Sequence, residues 1–148
     1  MDFMKQAFIL ANNAREHDDV PIGAVIVRDG EIIASGENMV QLNKNPTLHA
    51  EIVAINNACA KLGQKFLDDC EIYVTLEPCA MCATALSLAR IRKIHFAAHD
   101  VKGGGIYHNA RVYNNDLHLW KPEIIEHREY AEQSATMLRE FFQSKRRK

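Results

Sequence analysis

The chain has 148 residues, of which 47% are hydrophobic and 25% are charged, and its formal net charge is −1. These values fit one globular domain, residues 1–148, and do not indicate general nucleic-acid binding. No apolar run approaches the ~20 residues of a membrane span, and the N-terminus lacks the basic start and small-residue cleavage site of a secretory signal. We therefore expect a cytoplasmic protein whose four cysteines are thiols or metal ligands rather than disulfides.

The predicted elements of the first half are a helix, a hairpin and a second helix. Apolar residues at helical spacing predict a helix over 3–14. The apolar segments 22–27 and 31–36 flank Asp29-Gly30, a pair typical of a tight hairpin turn. After a polar loop over 37–46, Thr47 is the expected N-cap of a helix that continues to about Lys61 and stops at Gly63.

The second half alternates strands and helices. Its predicted elements are a buried strand over 71–76, a short helix from Pro78 to about Ala89, a strand over 93–98, a loop over 99–118, a weaker strand over 123–128 and a closing helix over 130–142. This order predicts an α/β fold in which helices cover both faces of one mixed sheet.

Cys79 and Cys82 stand three apart at the expected start of the helix after Pro78. The spacing puts both sulfurs on one face of that helix, and a helix N-terminus favours the thiolate, which is the metal-binding form. By itself the pair is also compatible with two small core residues. A redox pair is another reading, although a thioredoxin-like motif is expected earlier, after the first strand of a β-α-β unit.

His49 supplies a candidate third ligand, although a single histidine is more often a core or surface residue. His49 and Glu51 lie about 200° apart around a helix, but side chains in a first turn tilt toward the N-terminus and both can reach a point beyond it. If two helices aim their N-terminal ends at one point, His49, Cys79 and Cys82 surround it. Three such ligands are typical of a catalytic zinc site with an open fourth position. Two further cysteines are expected to be too distant and are interpreted as small buried residues: Cys59 and Cys70.

Glu51 has a role that the charges explain. Two thiolates cancel the charge of a zinc ion, so the metal acidifies its water less than one held by neutral histidines. A carboxylate that is not a ligand can take the proton of that water and later deliver it to the substrate. This chemistry suits hydrolytic deamination at a ring carbon that bears an amino group.

The segments HAE (49–51) and PCAMC (78–82) match the H-x-E and P-C-x-x-C signature of the zinc nucleobase deaminases. Within that superfamily the chain resembles the bacterial tRNA adenosine deaminases, which form inosine at the wobble position of an arginine tRNA. The similarity covers nearly the whole chain and includes the segments 19–27, 46–55, 67–86 and 89–105. It implies a three-layer α/β/α cytidine-deaminase-like fold with a central mixed five-stranded sheet.

The resemblance also implies roles for single residues. His49, Cys79 and Cys82 match the ligands of one zinc ion per chain, and Glu51 matches the proton shuttle. Asn38 matches an asparagine that hydrogen-bonds the target base, although an asparagine in a loop often caps its own backbone. The remaining substrate contacts implied by the resemblance are Asp100 and Lys102 in a loop beside the nucleic acid, and Phe141, Phe142, Arg146 and Arg147 in a C-terminal helix that contacts the anticodon stem-loop.

Some features support these contacts only in part. A core-facing phenylalanine and a basic helix end account equally well for the C-terminal residues one by one. The glycine run 103–105 and the residues after it depart from the family pattern, and we interpret them as a flexible rim that carries Lys102 and Arg111. The resemblance further implies a homodimer.

Two other functions stay open. A free-base or nucleoside deaminase acting on guanine or cytosine is the nearest alternative. Small tetrameric cytidine deaminases have a cysteine where His49 stands, but guanine deaminases share the histidine and the spacing. The basic end SKRRK (144–148) and the two adjacent phenylalanines favour tRNA. The other alternative is a non-catalytic, zinc-stabilised binding module, which an open coordination position beside Glu51 disfavours.

Overall fold

The computed structural model describes residues 1–114 and 119–146, in which five strands form one mixed sheet. The strands are β1 (Gly23–Arg28), β2 (Glu31–Glu37), β3 (Glu71–Leu76), β4 (Lys93–Ala98) and β5 (Glu123–Glu126), in the spatial order β2-β1-β3-β4-β5. β1 pairs antiparallel with β2 and with β3, whereas β3, β4 and β5 run parallel to one another. The predicted mixed five-stranded sheet is confirmed.

Among the described residues, helices lie on both faces of this sheet. They are α1 (Phe3–Glu16), α2 (Val40–Asn43), α3 (Ala50–Leu62), α4 (Ala80–Leu88) and α5 (Ala131–Arg146). Alternate residues of β3 point to opposite faces. Ile72 and Val74 pack with α3 and α4, while Tyr73 packs with α1 and with Met137 of α5. The three-layer α/β/α fold is therefore confirmed. Within the described ranges, none of these helices has the length and apolarity needed to cross a membrane.

The turn at Asp29-Gly30 forms as predicted. Both residues have positive φ, 51° and 78°, the conformation that lets a two-residue turn follow the twist of its strands. The strands that it joins, β1 and β2, pair as a hairpin.

Two glycines let helices approach the sheet closely. A Cβ at Gly36 in β2 would lie 2.3 Å from the carbonyl oxygen of Ala50 in α3. A Cβ at Gly23 in β1 would lie 2.1 Å from the carbonyl oxygen of Ala7 in α1. Real Cβ atoms do not approach so closely, so these two positions fix how near α3 and α1 lie to the strands.

Several predicted boundaries were wrong. Thr47 is not an N-cap, because its backbone N–H and its hydroxyl both donate to Asn45 Oδ1, and α3 begins three residues later with His49 as its N-cap. The predicted loop over 37–46 contains the short helix α2. β5 ends at Glu126, and α5 continues four residues past the predicted end to Arg146.

Candidate active site

Four chain segments meet at one edge of the sheet. The parallel strands β3 and β4 both end there, and the chain continues into Glu77-Pro78-Cys79 and into His99-Asp100. Because β1 and β2 run antiparallel, β1 starts at this edge and β2 ends at it, next to Asn38. Helices α3 and α4 both begin here, so their N-terminal ends converge.

The three predicted ligands lie together at this convergence. His49 is the N-cap of α3, Cys79 is the N-cap of α4, and Cys82 lies in the first turn of α4. The Nδ1 atom of His49 is 3.6 Å from the Sγ atom of each cysteine. Typical zinc bond lengths and tetrahedral angles place a nitrogen and a sulfur ligand about 3.6 Å apart. The donor atoms and their spacing therefore fit a zinc ion.

The two cysteines differ in their readiness to ionise. Hydrogen bonds from the Cys82 thiol and then from the His49 ring stabilise the Cys79 thiolate and hold its pKa at about 4, although burial opposes this. The same sulfur pair, together with burial, raises the pKa of Cys82, because two adjacent thiolates repel each other. A cation between the sulfurs would remove that repulsion. The remaining cysteines, Cys59 and Cys70, do not belong to this group; Cys70 is buried and Cys59 is half-buried.

Two buried carboxyl groups border the site and behave in opposite ways. Burial raises the pKa of Glu51 to about 7, the range in which a group can accept and return protons at neutral pH. Burial also acts to raise the pKa of Glu77, but hydrogen bonds from backbone N–H groups and from His108 outweigh it and hold this pKa below its ordinary value. Glu51 therefore suits proton transfer, whereas Glu77 stays ionised.

A cavity of about 190 Å³ adjoins the ligand group. Its lining includes His49, Glu51 and Cys79 on one side and Asp100 and Gly103 on the other. A larger groove of about 390 Å³ lies beside it, and the two share Ile22, Leu76 and Asp100 as walls. The groove continues to α5, whose Ala135, Leu138 and Phe142 form its far wall.

Asn38 lies at the start of α3 and is 4% exposed. Its Oδ1 atom accepts a hydrogen bond of 2.8 Å from the backbone N–H of Ala50, so the side chain supports the helix that carries His49 and Glu51. Its Nδ2 group donates no hydrogen bond to the described residues and is free to meet a ligand.

The loop after β4 contains the predicted residues Asp100 and Lys102. The Asp100 carboxylate accepts hydrogen bonds from the backbone N–H groups of Lys102 and Gly103, and the Lys102 side chain is exposed. The interpretation of residues 103–105 as a flexible rim was wrong, because Gly104 and Gly105 are buried. A Cβ at Gly105 would lie 2.4 Å from the backbone nitrogen of Ala80, so the loop lies directly against the first turn of α4.

The predicted C-terminal contacts have different surroundings. Phe141 is buried, at 6% exposure, whereas Phe142 is 44% exposed. Arg146 is exposed, and Lys145 forms an ion pair with Asp18. Arg147 and Lys148 lie outside the described residues.

Comparisons with known proteins agree with this geometry. Residues 1–98 match the family model described as the cytidine and deoxycytidylate deaminase zinc-binding region. The chain is 44% identical over 144 residues to a tRNA-specific adenosine deaminase of Agrobacterium fabrum, covering 97% of this chain and 94% of that protein.

Two solved structures are similar as well. One, from a study of A-to-I editing by tRNA:A34 deaminases at the wobble position, has a TM-score of 0.82 at 44% identity and covers 84% of this chain and 95% of its own. The other, guanine deaminase from Bacillus subtilis, has a TM-score of 0.64 at 46% identity and covers 66% of this chain and 62% of its own.

Proposed function

We propose that this chain, which belongs to the family of the tRNA-specific adenosine deaminases, converts adenosine to inosine by hydrolysis at the wobble position of a tRNA, as a single deaminase domain acting in the cytoplasm. The observation that carries the proposal is the meeting of His49, Cys79 and Cys82, with 3.6 Å between nitrogen and each sulfur, beside the buried Glu51. Numerous binding modules hold structural metals, but those sites have four protein ligands.

Each group at the cavity has a task in this reaction. His49, Cys79 and Cys82 would hold one zinc ion per chain, which supplies an activated water at its open position. Glu51 takes a proton at its carboxylate and returns it to the substrate. The Nδ2 group of Asn38 donates a hydrogen bond to the edge of the base.

The groove beside the cavity favours a nucleotide chain over a free base. A flipped base needs only the cavity of about 190 Å³, and the adjoining 390 Å³ would stay unused by a free nucleobase. Phe142 in its wall offers an exposed ring for stacking a flanking base, with Arg146 further along the same helix as a cation for phosphate. Asp100, Lys102, Phe141 and Arg147 complete the proposed RNA contacts.

Guanine deamination is the second candidate, because the Bacillus subtilis guanine deaminase structure shares 46% identity over two thirds of this chain. Purified protein is incubated with an arginine anticodon stem-loop that carries adenosine at the wobble position and, separately, with guanine. We expect inosine and no xanthine. Xanthine without inosine would replace the proposed function by guanine deamination.

A matched pair of variants tests the groove. Phe142→Ala should raise the RNA concentration required for half-maximal rate, because it removes a stacking contact of about 1–3 kcal/mol. Ile9→Ala, which shortens an apolar side chain of α1 that is 53% exposed, should leave that concentration unchanged. Equal behaviour of the two variants would remove Phe142 from the RNA site.

A homodimer is part of the proposal. Leu88 and Trp120 are 68% and 42% exposed and line one groove of about 670 Å³ beside α4, so a partner subunit there would cover apolar surface next to the active site. Sedimentation at micromolar concentration should show a dimer, and Leu88→Lys should weaken it. A wild-type monomer would contradict this assembly.

A further inference from the structure

The loop from Asp100 to His108 is held from below by one carboxylate. The side chain of Glu77 is completely buried. It accepts four hydrogen bonds from this loop: from the backbone N–H groups of Asp100 at 3.1 Å, Ile106 at 3.1 Å and Tyr107 at 3.0 Å, and from the His108 ring at 2.8 Å. Both oxygens are used, so none is left for substrate or for proton transfer.

The loop backbone is shaped to this carboxylate. A Cβ at Gly104 would lie 2.4 Å from the Glu77 carboxyl group, so only glycine lets the chain pass at this distance. On the outer side, the Asn109 side chain donates to the carbonyl oxygens of Val101, Lys102 and Gly104 at 2.9–3.3 Å. The loop is thus fixed between an internal anion and an external amide.

Glu77 also connects this loop to the rest of the site. Its backbone N–H donates to the carbonyl oxygen of Ala98 at the end of β4, and it precedes Cys79 by two residues. His99 lies between the carboxylates of Glu77 and Glu126, at 3.6 Å and 2.5 Å. A displacement of the Glu77 carboxylate is therefore transmitted to the wall formed by Asp100 and Gly103.

We propose that Glu77 is a positioning residue for the deamination: its carboxylate sets the loop 100–108 so that Asp100 and Gly103 hold the base against Glu51. The proposal rests on the proposed function. Charged acceptors bind N–H groups about twice as strongly as neutral ones, and a buried donor left unpaired is costly. The catalytic rate is sensitive to such placement, because a misplacement of 1 Å can lower it by about 10²-fold.

The test is Glu77→Gln, which keeps the size of the side chain and replaces one acceptor oxygen by an NH₂ group that faces N–H donors. With the RNA stem-loop as substrate, we expect kcat to fall by about 10- to 100-fold and KM to change by less than about threefold, with zinc content unchanged. Gly104→Ala should give the same pattern, since it disturbs the same contact from the other side. The double variant should then lose little more than either single variant.

Gly63→Ala is the control for a general loss of stability. Gly63 ends α3 at φ 65° with no atom near its missing Cβ, so the variant strains the backbone far from the loop. It should lower the melting temperature without lowering kcat. A Glu77→Gln enzyme with wild-type kcat, or additive losses in the double variant, would overturn the proposal.

A readout without activity separates this inference from the proposed function. Hydrogen exchange should speed up in the peptides that contain the amides of Ile106 and Tyr107 in Glu77→Gln, with α4 unchanged. Unchanged exchange overturns the anchor even if the enzyme is active, whereas a wild-type protein that is inactive on RNA refutes only the proposed function. Two zinc ions per chain, one of them lost in His108→Ala, would make Glu77, His99 and His108 a metal site and also overturn it.

Discussion

Replacing Gly36 by alanine should weaken zinc binding from a position that touches no ligand. The added Cβ would lie 2.3 Å from the carbonyl oxygen of Ala50 and 2.6 Å from the backbone nitrogen of Ala54, and ordinary contact begins at 3.4 Å. Helix α3 must therefore move away from β2 by about 1 Å. Ala50 follows His49 directly, so the shift carries the histidine away from the two cysteines.

The size of the effect follows from two tolerances. Overpacking of this kind costs about 1–3 kcal/mol of unfolding free energy. Metal ligands tolerate deviations of only about 0.2 Å, and disturbed surroundings of a ligand lower metal affinity by about 10- to 100-fold. We expect Gly36→Ala to show both losses, measured by urea unfolding with zinc present and by competition with a chelator.

Gly23→Ala is the matched control. Its Cβ would lie 2.1 Å from the carbonyl oxygen of Ala7, so it overpacks the sheet to the same degree, but against α1, which carries no ligand. It should lose similar stability and keep its zinc affinity. Equal zinc affinities in the two variants would refute the reasoning that α3 is positioned by its contact with Gly36.

Three further variants test single groups. Glu51→Gln should keep zinc and lose about 10²- to 10⁴-fold in kcat, and wild-type turnover by a folded, zinc-loaded variant would contradict a proton shuttle. Cys82→Ala should lose zinc and stability, whereas Cys70→Ala, which shortens a buried thiol outside the group, should keep its zinc by metal analysis. Asn38→Asp keeps an oxygen for the N–H of Ala50 but loses the donor, so kcat at saturating RNA should fall with little change in melting temperature; an unchanged kcat would remove the base contact.

The sequence predicted those parts of the structure that local chemistry determines. The turn at Asp29-Gly30 needs two residues that tolerate positive φ, and the pair shows this by itself. The ligand group was predictable because a histidine and two cysteines at helix starts have few other uses together. In each case the residues in the motif are sufficient to produce the feature.

The wrong and missing predictions depend on residues distant in sequence. Thr47 had the right chemistry for an N-cap, but Asn45 takes its donors, and the first N–H of α3 is served by Asn38 twelve residues earlier. The run 103–105 suggested freedom because glycine usually gives it, whereas Gly104 is required by the carboxylate of Glu77. Glu77 itself had only one signal, an acidic residue directly before Pro78 and Cys79.

The placement of His49 and Cys79 at the first positions of two helices limits how this site can be moved to another scaffold. Those positions usually carry a serine, threonine, aspartate or asparagine whose side chain satisfies the first N–H groups of the helix, and neither His49 nor Cys79 does so. In α3 the task has passed to Asn38, and the loop after β4 packs against the start of α4 through Gly105. A graft of the three ligands and Glu51 alone would therefore begin two helices with unpaired ends. The smallest portable unit also includes Asn38 and the segment from Asp100 to Asn109.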